Sequence, residues 1–226
     1  GFIMAVMTCY FKSEYVGFEI PFTVILPEKK HVRFAADPQI VSPVFGMKMP
    51  VLLLLHDEAE GREEWMHMTS LCRYAQETGI AVILPDCHRS FYSDYVVRDG
   101  NSGINDSNIQ ALQNFTELMY ESYIVKELIP YVRKMFPITQ HAETTYIGGK
   151  GMGGFGALKL ALSHEELFGK IFSISGLMDL QWAMDHLDEK REQFQEIFGG
   201  LKVDEGSPND LESMVKKCAA QGRLRP

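Results

Sequence analysis

The pattern that most clearly points to chemistry is a group of glycines around position 151. It lies between a short apolar run and a segment compatible with a helix. They read Ile147-Gly148-Gly149-Lys150-Gly151-Met152-Gly153-Gly154. This spacing is that of the G-x-S-x-G nucleophile elbow, a sharp strand-to-helix turn that presents a serine hydroxyl for acyl transfer. Small residues flank such a turn because a Cβ there would collide with the neighbouring strand and helix. The central residue is Gly151, which has no side chain and cannot attack a carbonyl carbon.

An elbow also supplies a hydrogen-bond donor for the oxyanion that forms during acyl transfer. That donor is the backbone N–H of the residue after the nucleophile, which here is Met152. A backbone donor does not depend on the side chain before it. We therefore keep Met152 as a candidate oxyanion-hole donor although the serine is absent.

A second group of reactive side chains follows two other apolar runs. It comprises His56, Asp57, Asp86 and His88. If the runs are adjacent parallel strands, these residues meet at one edge of the sheet. Two imidazoles and two carboxylates could hold a divalent metal that activates water without a serine. The alternative is that these residues only begin loops. Apart from this metal hypothesis we expect no metal and no cofactor.

The elements that must position these residues are short strands and helices in alternation. Residues 7–12 and 18–26 alternate apolar and polar side chains, which predicts an antiparallel pair, and 28–49 predict a loop. Continuous apolar runs, typical of strands buried on both faces of a parallel sheet, then follow at 51–55, 80–85, 145–149 and 170–175.

Helical spacing of apolar residues predicts the connecting helices. These are 65–78, ending at Gly79, then 108–136 with a break near Tyr120, then 155–163 and 211–220. The alternation predicts a doubly wound, mostly parallel sheet in a single α/β domain spanning 1–226. Residues 177–212 predict a small helical excursion over the sheet, with Trp182, Phe194 and Phe198 in its core or lining a pocket.

Composition excludes several classes of partner. The formal net charge of −8 repels a phosphate backbone, so we expect no nucleic acid, and it gives no attraction to anionic membranes. No apolar run is long enough to span a bilayer, and the first residues lack the basic flank of a secretory signal. The four cysteines are far apart in sequence, which favours reduced thiols and a cytoplasmic protein.

The elbow and four flanking segments together resemble a known family. The chain is similar to the esterase family of α/β-hydrolases that includes esterase D, S-formylglutathione hydrolase and the tributyrin-esterase-like proteins. The flanking matches are Leu54-Leu55-His56 with Trp65, Leu84-Pro85 with Ser90-Phe91-Tyr92, Glu127-Leu128-Ile129-Pro130 with Phe136-Pro137, and Phe172-Ser173-Ile174-Ser175-Gly176. The similarity runs from about Met4 to Lys217, and residues 101–119 look like an insertion.

The resemblance implies an α/β-hydrolase fold, a serine esterase activity and a second oxyanion-hole donor. The family carries a His-Gly dipeptide after the first parallel strand, where this chain has His56-Asp57. The backbone N–H of Glu58 then takes the second donor position, and His56 matches a structural histidine. Five carboxylates lie within residues 57–64. Either they raise the energy of an oxyanion, or they point into solvent as the polar first turn of a helix.

The resemblance also implies an acid and a histidine on two strands after the fourth parallel strand. The sequence stops at Pro226, about where the next strand would begin, so we expect a sheet that lacks its last strands. The reason is either a truncated protein or a sequence that continues beyond Pro226. His164 and His186 have no family match and are expected to be surface histidines. A missing sheet edge would invite pairing with a second copy.

Three hypotheses about function follow. The first is a member of a serine carboxylesterase family, acting on acyl esters or thioesters, whose elbow is catalytically degenerate. The second is a non-catalytic protein that binds a small ligand or acyl group in the former substrate pocket. The third is the metal-assisted hydrolase that uses His56, Asp57, Asp86 and His88.

Overall fold

The computed structural model describes residues 4–27, 48–96 and 118–222. Its strands are β1 (Met4–Lys12), β2 (Glu19–Pro27), β3 (Val51–Leu55), β4 (Ala81–Pro85), β5 (Thr145–Lys150) and β6 (Lys170–Ile174). They form one sheet in the order β1-β2-β4-β3-β5-β6. Strands β3 to β6 are parallel to one another, whereas β1 pairs antiparallel with β2, and β2 with β4. The prediction of a mostly parallel α/β sheet is confirmed.

The described helices are α1 (Glu64–Met68), α2 (Leu71–Thr78), α3 (Tyr120–Ser122), α4 (Ile129–Met135), α5 (Met152–Ser163), α6 (Leu180–His186), α7 (Arg191–Phe198) and α8 (Leu211–Ala220). A π-helix (Tyr123–Leu128) joins α3 to α4, and short 3₁₀ turns lie at Ala142–Thr144 and Asp188–Lys190. Within the described ranges, no helix is long and apolar enough to span a membrane.

The parallel strands bury both faces, as their continuous apolar sequences predict. Leu53 and Leu55 pack in the larger core with helices α4 to α7, whereas Leu54 packs on the other face against Leu71 and Ala75 of α2. Successive side chains of a strand point to opposite faces, so helices must pack on each face of the sheet to bury them. The helices therefore cover the sheet from both sides and fix the ends of β3 and β5 next to each other.

Two predicted helices have different bounds. The helix predicted over 65–78 is two helices, because Thr69 is extended and its hydroxyl accepts a hydrogen bond from the Leu71 amide at 3.1 Å. The helix predicted over 155–163 begins at Met152. Gly153 and Gly154 have low helix propensity, but both are buried against the sheet, so tertiary packing decides.

The long helix predicted over 108–136 is only partly described, since 97–117 lie outside the described residues. Its described part starts at Tyr120 and widens into the π-helix just before Pro130. Proline lacks an amide hydrogen and its ring would collide with a carbonyl one turn earlier, which explains the wider turn. The loop predicted over 28–49 also lies outside the described residues, except for Lys48 and Met49.

β6 is the last strand of the sheet among the described residues, pairing there with β5 alone. Its apolar side chains are partly exposed, at 36% for Ile171, 40% for Phe172 and 48% for Ile174.

A buried ionic network fixes helix α5, which is apolar nearly all round. Lys159 of α5 is only 3% exposed and contacts Ser93 Oγ at 2.7 Å and a carboxylate oxygen of Glu121 at 2.8 Å. The other oxygen of Glu121 lies 2.9 Å from His164 Nε2. A buried charge needs such a partner, so the network ties α5 to α3. His164, predicted to be a surface residue, is therefore part of this network.

The network predicts a loss of stability in acid. Burial alone would raise the pKa of Glu121, but the hydrogen bond from His164 and the charge and hydrogen bond of Lys159 outweigh it and lower that pKa from 4.5 to about 2. A lowered folded-state pKa stabilises the protein above about pH 4.5, and this contribution fades as the pH falls toward 2. We expect about 2 kcal/mol to be lost from this group between pH 6 and pH 3.

Urea unfolding of the wild type and of Glu121→Gln at both pH values measures this loss. The variant should be less stable at pH 6 and should fall less steeply toward pH 3, because its residue 121 does not titrate. Equal slopes for the two proteins would contradict the assignment.

Candidate functional site

The turn between β5 and α5 has the geometry of a nucleophile elbow. β5 ends at Lys150, α5 begins at Met152, and Gly151 between them has φ +56° and ψ −118°. Its amide donates to the Ile174 carbonyl of β6 at 2.9 Å, and its carbonyl accepts from the Phe155 amide at 3.1 Å. Residues with side chains occupy this backbone region only under strain, which elbows impose on their nucleophile. The predicted strand-to-helix reversal is present at residue 151.

The two predicted oxyanion-hole donors converge on one atom. The backbone amides of Glu58 and Met152 both donate to Oδ1 of Asp57, at 2.7 Å and 2.8 Å. β3 and β5 are adjacent parallel strands, with Leu55 opposite Gly149, so the segments that follow them are neighbours. The two amides are thus neighbours, and a carboxylate oxygen of the chain itself occupies the position between them.

The carboxyl group of Asp57 also fills the volume that a side chain at 151 would need. A Cβ built on Gly151 would lie 2.1 Å from Oδ1, 2.3 Å from Cγ and 2.3 Å from Oδ2 of Asp57. Carbon and oxygen atoms that are not bonded do not approach so closely. Asp57 in this position is therefore compatible with glycine at 151 and incompatible with serine.

Other acids of the 57–64 segment are held by cations or by a helix N-terminus. The side chain of Glu58 is 9% exposed and forms ion pairs with Lys190 and, at 3.6 Å, with Arg89. Glu60 pairs with Lys150 in the same way. Glu64 lies in the first turn of α1, where an acid suits the helix dipole. Of the two alternatives, a solvent-facing acidic turn does not describe Glu58, whose carboxylate joins this loop to the 3₁₀ turn at Asp188–Lys190.

His56 and His88 each lie 3.9 Å from Asp86 Oδ1, but the side chains of the metal hypothesis have other partners. His56 Nε2 accepts from the Cys87 amide at 3.0 Å, and its Nδ1 donates to the Asp57 carbonyl at 2.8 Å, so both ring nitrogens are used. Asp86 accepts from Arg62 at 3.1 Å and lies 3.9 Å from His88. No group of three or more potential ligands in the described part of the chain could hold a metal ion. The metal hypothesis at these four residues therefore gains no support from the described structure.

The buried side chain of His56 helps to hold the local structure. It is 1% exposed, its carbonyl accepts a hydrogen bond from the Tyr92 hydroxyl at 2.9 Å, and its ring holds the start of the loop after β4. Burial lowers the pKa of His56, against the opposing effects of the bond to the Asp57 carbonyl and the charge of Asp86. The imidazole is thus held neutral between the two strand ends.

The remaining candidate residues lie in packing positions. His186 Nδ1 contacts the Trp182 carbonyl at 2.8 Å, and the two rings stack at 4.8 Å. Trp182 is half exposed, whereas Phe194 is fully buried and packs against Phe91. Two cavities in the described part of the chain have volumes of about 120 Å³ and 380 Å³, and neither is lined by Gly151, Asp57 or these aromatic residues.

The sheet order and the elbow together define an α/β-hydrolase. The chain belongs to the family described as "Putative esterase", whose model matches residues 13–210. It is 26% identical over 220 residues to an acetyl esterase of Caldicellulosiruptor saccharolyticus, covering 95% of this chain and 74% of that protein. The expected membership of an esterase family is confirmed.

Solved structures agree with this assignment. The chain is similar to the fluorophosphonate-binding serine hydrolase F of Staphylococcus aureus, with a TM-score of 0.76, 26% identity and coverage of 99% of this chain and 76% of that one. It is also similar to the S-formylglutathione hydrolase of Staphylococcus aureus, with a TM-score of 0.71, 26% identity and coverage of 99% and 77%. This chain thus spans about three quarters of the length of each.

Proposed function

We propose that this chain is a member of its esterase family whose elbow does not hydrolyse esters. The observation that carries the proposal is Oδ1 of Asp57, which accepts hydrogen bonds from both oxyanion-hole donors beside a glycine at the nucleophile position. The donors that would stabilise a substrate oxyanion instead stabilise a side chain. Fold and elbow are retained, while the groups that perform acyl transfer are replaced.

Two steps of acyl transfer are blocked separately. Gly151 has no oxygen to attack a carbonyl carbon, so a covalent acyl intermediate cannot form at the elbow. In addition, the carbonyl oxygen of a substrate would have to occupy the position of Asp57 Oδ1, and a carboxylate there repels a developing oxyanion. Restoring a hydroxyl alone would therefore leave the second obstacle in place.

The proposal predicts that the protein does not react with serine-hydrolase reagents. We expect no labelling by a fluorophosphonate probe and no hydrolysis of p-nitrophenyl acetate above a buffer blank. Serine hydrolase F of Staphylococcus aureus, described as fluorophosphonate-binding, is the positive control. Stoichiometric labelling of any serine, mapped by peptide mass spectrometry, would overturn the proposal.

The cysteines support a reducing compartment. All four lie in described residues and none forms a disulfide, with Cys87 and Cys218 buried. We propose the cytoplasm as its compartment, because reduced thiols suit the cytosol, whereas oxidising compartments favour disulfide formation.

A further inference from the structure

Strand β1 is a long sheet edge without the usual protection against another strand. It has nine residues and is aligned with β2 without interruption, from Met4 opposite Pro27 to Lys12 opposite Glu19. Among the described residues it pairs with β2 alone. Proteins usually protect such an edge with a proline, a bulge, a short strand or charges along it. β1 has no proline, and its one charged side chain, Lys12, is at its end.

The inner face of β1 fixes this edge in place. Met7, Cys9 and Phe11 are partly buried and pack against the larger core. The Phe11 ring stacks on Tyr131 of α4 at 5.1 Å and on Tyr123 of the π-helix at 5.8 Å. The backbone of β1 is therefore held ready to pair along its outer edge.

The outer face of β1 is apolar on both sides of a threonine. Val6 is 48% exposed and Tyr10 is 58% exposed, and Thr8 between them is exposed as well. Exposed apolar side chains along an unprotected edge strand are typical of a surface that another chain covers.

We infer that this chain forms a two-fold dimer in which β1 pairs antiparallel with β1 of a second copy, with Thr8 opposite Thr8 at the axis. This register pairs all nine residues, because Thr8 is the middle residue of β1. It places Val6 of each copy opposite Tyr10 of the other. Pairs of an aromatic and a β-branched residue, and pairs of threonines, stabilise antiparallel strands. The strand is thus complementary to itself.

Charge also favours a second copy at this strand. The formal net charge of −8 makes two copies repel each other overall. Residues 4–11 carry no charged side chain, and the register places Lys12 of one copy opposite Met4 of the other. No like charges face each other across the pair, so β1 is a stretch along which two copies can approach.

The dimer should be weak and should depend on protein concentration. Main-chain hydrogen bonds supply most of the affinity when a strand is added to a sheet edge. One strand pair is a small interface, so we expect a dissociation constant on the order of 10 µM. Sedimentation velocity of the full chain over a range of concentrations measures it.

Opposite charges at the axis test the register. Thr8→Lys and Thr8→Glu each place like charges opposite one another, so each variant alone should dissociate at least about tenfold more readily than wild type. An equimolar mixture of the two should dimerise again, because lysine then faces glutamate. Val215→Lys, at an exposed residue of α8, adds the same charge elsewhere and should dimerise like wild type. Thermal melts confirm that each variant is folded.

A disulfide gives a second measurement that does not depend on added charge. Directly opposed Cα atoms of antiparallel strands are about 4.5–5.5 Å apart, within the range that a disulfide spans. Thr8→Cys should therefore form a covalent dimer on mild oxidation. Wild type is the control, because in this register its Cys9 lies opposite Met7 and on the inner face.

Two outcomes would overturn the inference. One is a protein that is monomeric at every concentration and whose Thr8→Cys variant does not crosslink, which would mean that no second copy pairs with this edge. The other is a dimer that both Thr8 charge variants retain, which would place the interface on another surface, such as β6. Neither measurement involves ester hydrolysis, so the inference is independent of the proposed function.

Discussion

Gly153→Ala is expected to lower the free energy of unfolding by about 3 kcal/mol or more. A Cβ at this position would lie 2.5 Å from the Leu55 carbonyl oxygen and 2.7 Å from that of His56. Both are backbone atoms of β3 and its end, so relief requires α5 to move away from the sheet. Alanine gains up to about 1 kcal/mol over glycine inside a helix, which is too little to offset the collision.

Urea unfolding of Gly153→Ala against wild type measures this effect, and Gly61→Ala is the matched control. A Cβ on Gly61 meets nothing within 4 Å, so the same change there should alter the free energy of unfolding by less than about 0.5 kcal/mol. Equal stabilities for the two variants would show that α5 does not pack against β3 as described.

Gly151→Ser is expected to destabilise the protein by about 2–4 kcal/mol and to leave ester hydrolysis unchanged. The serine Cβ would overlap the Asp57 carboxyl group, and residue 151 would carry a side chain at φ +56°. The double variant Asp57→Gly/Gly151→Ser removes the overlap and should recover more than half of the loss. The two sites are in contact, so a double-mutant cycle should give a large coupling energy.

The cycle needs the four proteins' unfolding free energies and their rates with p-nitrophenyl acetate. Gly200→Ser, where an added Cβ meets nothing within 4 Å, is the control for a serine in open space. Additive free energies would refute the steric coupling of 57 and 151. A hundredfold rise in hydrolysis for Gly151→Ser would show that the chain supplies a base that the sequence does not reveal.

Much of the fold could be predicted because its signals are local. Each parallel strand is a short apolar run, and Gly79, in the left-handed conformation at the end of α2, marks that helix terminus in the sequence. The elbow was recognisable from glycine spacing for the same reason, since a tight reversal restricts every residue within it. The split at Thr69 was missed because a single hydroxyl, bonded to the backbone, decides it.

The state of the site could not be predicted because it depends on residues far apart in sequence. Asp57 turns inward only because position 151, more than ninety residues later, has no side chain. The pairing of Glu58 with Lys190 likewise depends on how the segment between α6 and α7 packs beside the loop after β3. From composition alone, an acidic stretch after a strand is most simply interpreted as a solvated turn. Lys190 lies 132 residues from Glu58, and nothing in the local sequence indicates that the two form an ion pair.

The chain has two tryptophans, and the fold gives them different surroundings. The Trp65 indole N–H donates to the Leu55 carbonyl at 3.0 Å, at the end of the strand that leads to Asp57. Trp182 is half exposed and stacks on an imidazole in α6. The intrinsic fluorescence of this protein therefore has one emitter beside the strand end and another on the covering helices, so emission spectra can follow the two regions without an added dye.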